Sequence, residues 1–117
     1  MYDIKAIYAD GELVIKHLAT DKIPPGHMYY ADIQAGINSR PLTTVNFQNG
    51  PIPECGTNGL TNEALLTILI HRTMVLNEQY PCEENANAIR YMKEALDAFN
   101  QRTINRKARG VEGKLVK

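Results

Sequence analysis

The chain has 117 residues, which suffices for one domain, or for one domain with an additional arm. Thirteen basic and thirteen acidic residues leave no formal net charge, and this argues against a general nucleic-acid binder. The charge is unevenly distributed, because residues 102–117 contain six Lys or Arg and a single acid. This asymmetry indicates a localised anion site near the C-terminal end; a solvated basic tail is the alternative interpretation.

The N-terminal segment predicts a β-hairpin. Alternating residues favour a strand over 2–8, and Asp10-Gly11 is a typical hairpin-turn pair. Residues 12–17 would form the returning strand. This hairpin is the best-supported β feature of the sequence.

Two further strands are predicted before residue 50. Residues 27–33 contain tandem tyrosines, which suit a half-buried pleated surface, and residues 42–47 are rich in β-forming side chains. We interpret residues 35–41 as the loop between these strands. Residues 48–59, rich in Pro, Gly and Asn, are expected to form an irregular linker into the second half of the chain.

The first long helix is predicted to begin after Thr61, which is a good N-cap, with Glu63 in its first turn. Its apolar residues fall on most sides of the helix rather than on one stripe. They are Leu65, Leu66, Ile68, Leu69, Ile70, Met74, Val75 and Leu76. Since one partner helix cannot cover so many sides, we expect other subunits to do so.

The second long helix is predicted between Pro81 and Gly110, with acidic residues in its first turn and basic residues in its last. Its core seam repeats at alternating spacings of four and three. The seam positions are Asn85, Ile89, Met92, Leu96, Phe99, Thr103 and Arg106. The connection over residues 78–81 is short, so the two helices should be antiparallel neighbours.

The fold expected from these elements is α+β: a small N-terminal antiparallel β-sheet followed by a long antiparallel two-helix hairpin. We assign residues 1–52 to the β-rich part and residues 58–117 to the hairpin with its basic end, packed as one compact unit. The N-terminus lacks the pattern of a signal peptide, and no apolar run is long enough to span a membrane. Cys55 and Cys82 lack metal spacing and are expected to be reduced in an intracellular protein; a disulfide between them is the alternative.

The sequence does not support an enzyme. His17, His27 and His71 are scattered and form no metal motif. No nucleophile motif or phosphate-binding glycine loop is present, so we expect neither catalysis nor a cofactor or metal.

Polar residues at the ends of the second helix are the best candidates for a binding site. The side chain of Asn85 both donates and accepts hydrogen bonds, as a nucleobase edge requires. Arg102 and Arg106 are one turn apart and would form a fork for phosphate. The alternatives are a register-setting Asn in the seam and arginines that only compensate the helix dipole.

The second half of the chain contains six motifs in a fixed order: GLTNEALL (59–66), LIHR (69–72), CEENA (82–86), KEAL (93–96), QRT (101–103) and RGVEG (109–113). Together they resemble the helical hairpin shared by two groups of bacteriophage anti-defence sponge proteins. One is the anti-CBASS group, and the other is the Thoeris anti-defence group, which carries a β-rich part before the hairpin. The predicted β-hairpin favours the Thoeris group.

The resemblance implies a protein that binds cyclic nucleotide immune signals without cleaving them. The ligands would be glyco-cyclic ADP-ribose isomers, with CBASS cyclic di- and trinucleotides as a further class. It also implies hairpin dimers, often assembled into hexamers, and action in the cytoplasm of the infected bacterium. A protein-binding hairpin that docks on an acidic partner, or a small nucleic-acid binder, is the competing hypothesis.

The resemblance also implies roles for individual residues. Asn85 would contact a base, Arg102 and Arg106 would hold phosphates with Arg109 beside them, and Thr61 would lie near a trinucleotide pocket. The family pattern has an aromatic residue near the positions that Val75 and Leu76 occupy here. A tyrosine would therefore have to stack on the base instead. The candidates are Tyr80, Tyr29 and Tyr30.

Overall fold

The computed structural model describes residues 2–110, which form two compact units, one ending at Leu60 and one beginning at Thr61. The first unit contains four strands and one short helix, and the second contains two long helices. The elements are β1 (Tyr2–Asp10), β2 (Leu13–Thr20), β3 (Met28–Ala35), β4 (Asn38–Asn46), α1 (Ile52–Cys55), α2 (Asn62–Gln79) and α3 (Glu83–Ala108). The predicted α+β fold, a small antiparallel sheet followed by a two-helix hairpin, is confirmed. The domain boundaries expected at residues 52 and 58, and the packing as one unit, stay predictions.

The first unit is an antiparallel meander in which the strands follow one another in chain order. The β1–β2 turn contains Gly11 in the left-handed region, with φ +60°, as a tight hairpin turn requires. The small core centres on Val14, Leu18 and Ala31 of the two inner strands, which are buried. The predicted N-terminal hairpin is therefore confirmed.

The expected loop over residues 35–41 is wrong, because β4 begins at Asn38. Pro41 lies inside this strand, next to an irregularity in the pairing with β3. A proline cannot donate to a sheet ladder, and it is tolerated here because β4 is an edge strand. The linker after the sheet is also more regular than expected, since it contains α1.

The segment after β4 is firmly bonded to the sheet. The Gln48 N–H donates to the Leu60 carbonyl, and the Leu60 N–H donates to the Asn46 carbonyl, both at 2.8 Å. A Cβ atom at Gly59 would lie 2.4 Å from the backbone of Phe47, so this close approach requires glycine.

The helical hairpin has well-formed caps. Thr61 Oγ1 accepts the Ala64 N–H at 3.1 Å, which confirms Thr61 as the N-cap of α2. At the turn between the helices, Asn77 Oδ1 accepts the Cys82 N–H at 3.1 Å. Gly110 follows α3 with φ +74°, as predicted from its position after the basic last turn.

All seven predicted seam positions of α3, from Asn85 to Arg106, are half-buried. The residues on α2 between Glu63 and Asn77 that repeat at the same alternating spacing are also half-buried or, at Ile70, buried. The two helices therefore pack along matching seams, and the heptad interpretation of α3 is confirmed.

None of the helices among residues 2–110 is long and apolar enough to cross a membrane. Cys55 and Cys82 are exposed free thiols.

Candidate functional site

One side of α3 near its C-terminal end carries a concavity lined mainly by residues with polar side chains. Its volume is 710 Å³, and it is open to solvent. Within residues 2–110 it is lined by Ala98, Gln101, Arg102, Asn105, Arg106 and Arg109. Three of the eight residues that the sequence nominated, all arginines, therefore contribute to a single concave surface.

The concavity has two chemically different sides. At 3.6 residues per turn, Arg102 and Arg106 fall on one side, and Gln101 and Asn105 fall on the other. Ala98 and Arg109 lie on the strip between them, at the two ends of the concavity. On the amide side, Gln101 Nε2 donates to Asn105 Oδ1 at 3.0 Å. The site thus presents guanidinium groups on one side and a neutral, hydrogen-bonded amide pair on the other.

The guanidinium groups must supply the attraction for an anion. The C-terminal end of a helix carries the negative end of its dipole, which disfavours anions. Arg102 is exposed, and within residues 2–110 it makes no hydrogen bond or ion pair that would occupy its guanidinium. Its planar fork is suited to a phosphate group.

Asn85 and Tyr80 lie at the opposite end of the hairpin. Asn85 is in the first turn of α3, where its backbone N–H donates to Cys82 Sγ at 3.4 Å, and its side chain is half-buried. Tyr80 caps α2 and is 73% exposed, so its ring is free to stack. At 1.5 Å per residue, Asn85 lies about 26 Å along α3 from Arg102. One hairpin does not bring the predicted base contact and the predicted phosphate contacts together.

Thr61 is at the same end of the hairpin as the arginines. The neighbouring Asn62 lines a shared apolar cavity with Phe99, one turn before the arginine pair. The Thr61 hydroxyl accepts the Ala64 N–H, so the helix already uses its oxygen as a cap. A ligand role for Thr61 stays a prediction.

The three tyrosines that are candidates for stacking on a base differ in solvent exposure. The Tyr29 ring packs 5.2 Å from His17 and 5.9 Å from Phe47 between ring centroids, and it is half-buried in the sheet. Tyr30 is half-buried on β3. On exposure, Tyr80 is the strongest of the three candidates for stacking.

The sequence reasoning did not assign the amide side of the concavity. Gln101 and Asn105 have the same four-residue spacing as the arginine pair, and this spacing was the available signal. Charge asymmetry identified Arg102 and Arg106, whereas the neutral side chains of Gln101 and Asn105 contribute nothing to it.

Comparison with known proteins gives the context of this site. The sequence profile of a family described as "Acb2/Tad1, hairpin domain" matches residues 42–103, more than half of the chain. The match includes Thr61, Tyr80, Asn85 and Arg102, and it ends before Arg106.

A curated relative shows the same relationship. Over 73 residues the chain is 49% identical to "Thoeris anti-defense 1" of Bacillus phage SBSphiJ7. The alignment covers 62% of this chain and 51% of the relative, so the chain spans about half the length of that protein. The profile match and this identity together show that the chain belongs to the Acb2/Tad1 hairpin family.

Proposed function

We propose that the protein is an anti-defence sponge of a bacteriophage, which binds cyclic nucleotide immune signals and withholds them from bacterial defence proteins. Glyco-cyclic ADP-ribose isomers are the leading ligands, because the relative of known role is a Thoeris anti-defence protein and this chain has a β-rich part before its hairpin. Cyclic di- and trinucleotides of CBASS defence are the second class. The site of action would be the cytoplasm of the infected host.

The cationic concavity of α3 is the observation that carries this proposal. Three arginines line this concavity, which has a volume of 710 Å³, in a chain whose formal net charge is zero. A localised charge of this kind suits a small anion with phosphate groups better than a long polyanion. The amide side provides neutral hydrogen-bonding groups for the remainder of a nucleotide.

The protein would hold its ligand intact. Within residues 2–110 the lining of the concavity offers guanidinium, amide and methyl groups, and none of these is an effective general base or nucleophile near neutral pH. No group of three or more His, Cys, Asp or Glu side chains in residues 2–110 could hold a metal ion. Tight retention without turnover is the function that such a surface supports.

More than one chain would build the complete site. Asn85 and Tyr80 lie too far from Arg102 to contact the same small ligand within one hairpin, so a second hairpin would have to supply them. The exposed apolar surface of α2 provides a means of association, because it includes Ile68 and Leu69. We propose hairpin dimers as the basic assembly and a hexamer as the complete one.

A retention experiment tests the function. The purified protein is incubated with a panel of cyclic nucleotides, separated from free ligand, and heated to release what it bound. Recovery of an intact cyclic ADP-ribose isomer, unchanged after hours of incubation, supports the sponge. Recovery of cleaved product would identify an enzyme. Retention of no member of the panel would favour a hairpin that docks on an acidic protein, and retention of oligonucleotides would favour a nucleic-acid binder.

A further inference from the structure

We infer that Gln101 and Asn105 recognise a ribose hydroxyl, and that this pair sets the preference between linkage isomers of the bound cyclic ligand. The inference rests on the proposed function, since it assumes that phosphate lies against Arg102. The hydrogen bond between the two amides and their position in the concavity carry it.

The amide pair is preorganised. Because Gln101 Nε2 donates to Asn105 Oδ1 at 3.0 Å, the bond favours the rotamers that hold the two amides together. A ligand that binds this arrangement has less side-chain ordering to supply. This distinguishes the pair from isolated polar residues on a helix surface.

The unused hydrogen-bonding groups match a hydroxyl. After their mutual bond, Gln101 retains its carbonyl oxygen as an acceptor, and Asn105 retains two N–H donors. A hydroxyl donates one hydrogen bond and accepts others, so it can contact both side chains at once. A phosphate only accepts, and it gains more from the charged arginine side.

The covalent structure of a nucleotide places a ribose where the pair lies. A ribose is bonded directly to its phosphate through an ester oxygen. With the phosphate on the side of Arg102, the sugar lies over the strip between the arginine side and the amide side. Its hydroxyls then face Gln101 and Asn105.

Linkage isomers of cyclic ADP-ribose differ in which hydroxyl of the adenosine ribose is free to bond the amide pair. When the ring closes through the 2′ oxygen of adenosine, the 3′ hydroxyl stays free, and closure through the 3′ oxygen leaves the 2′ hydroxyl free. Because the free hydroxyl of the adenosine ribose is on a different carbon in each isomer, a pair held at one place on the helix reaches it better in one isomer than in the other. That isomer is therefore bound more tightly.

Calorimetry with the two isomers tests the inference. Gln101→Met and Asn105→Leu remove the polar atoms at nearly constant size. Each should weaken the preferred isomer about three- to tenfold and change the other less than about twofold, since a neutral hydrogen bond is lost. Arg102→Ala should weaken both isomers by similar factors and keep their ratio. Asn100→Leu, on the same helix but outside the concavity, is the matched control and should change neither.

The outcomes separate this inference from the proposed function. Equal affinity of the parent protein for both isomers, or amide variants that weaken both isomers alike or neither, overturns the role of the pair. In those cases a loss of binding in Arg102→Ala still supports the sponge. Absence of binding of either isomer to the parent protein overturns the proposed function for this ligand class, and the inference with it.

Discussion

Asn85 and Arg102 lie on the same helix, α3, but about 26 Å apart along its axis. Within one chain they belong to opposite ends of the hairpin, with Tyr80 beside the first and Thr61 nearer the second. If both contact one small ligand, they must come from two chains. The distance between these two residues therefore predicts that two chains share one ligand site.

Complementation between variants tests this arrangement. Asn85→Ala and Arg102→Ala should each lower ligand retention when expressed alone, because every site then lacks one contact. Mixed assemblies of the two variants should regain about a quarter of the parent's sites if chains pair at random around a twofold axis. Stoichiometry by calorimetry, after co-expression with two different tags, measures this. If the mixed sample retains no more ligand than either variant alone, Asn85 and Arg102 belong to different sites.

The charge of Arg102 should contribute strongly to affinity. A charge-assisted hydrogen bond is worth roughly 1.5–3 kcal/mol, so Arg102→Ala should weaken binding about tenfold to a hundredfold. Arg102→Lys should restore only part of this, because an ammonium cannot reproduce the planar guanidinium fork. Calorimetry with a cyclic ADP-ribose isomer gives the three affinities.

Lys107→Ala is the matched control for this series. Lys107 lies on the same last turns of α3 and is exposed, but it does not line the concavity. Its loss should change affinity little, since an exposed charge is screened within about 8 Å at physiological salt. The same is expected of Lys117, which lies outside the described residues. Equal losses for Arg102→Ala and Lys107→Ala would mean that only a diffuse positive field attracts the ligand.

Local chemistry made most of the fold predictable. Thr61 and Gly110 marked the helix boundaries, and the alternating spacing from Asn85 to Arg106 identified the buried side of α3. The start of β4 was missed because Pro41 normally signals a loop, and only the position of β4 at the sheet edge makes a proline acceptable there. Edge position is a tertiary property that a local pattern does not contain.

The site was only partly predictable, for a similar reason. Charge and spacing identified Arg102 and Arg106 as a pair, and the structure places both in one concavity. Gln101 and Asn105 share the four-residue spacing, but as neutral side chains they add nothing to the charge asymmetry that identified the arginines. Their relevance depends on their mutual hydrogen bond and on their place beside the arginines, which only the structure shows.

Thr61 should contribute to stability through its cap. Thr61→Ala should lower the free energy of unfolding by about 1 kcal/mol, because the Ala64 N–H loses its side-chain acceptor. Thr61→Asn preserves a capping oxygen and should recover most of this loss. Urea denaturation at one fixed protein concentration measures both variants. If Thr61→Asn recovers stability but not retention of a cyclic trinucleotide, Thr61 also contacts the ligand. If the variant recovers both, Thr61 acts only as a helix cap.

The apolar surface of α2 should hold the assembly together. Ile68 is 54% exposed in the single chain, and Leu69, Val75 and Leu76 on the same helix are also exposed. The parent protein should therefore scatter light with a mass well above 13.1 kDa, and Ile68→Asp should shift it to smaller species because burying an unpaired carboxylate is costly. Ile37→Asp is the matched control, since Ile37 is fully exposed at the tip of the β3–β4 hairpin and should leave the mass unchanged. A monodisperse parent monomer at micromolar concentration would contradict the oligomer and the two-chain site together.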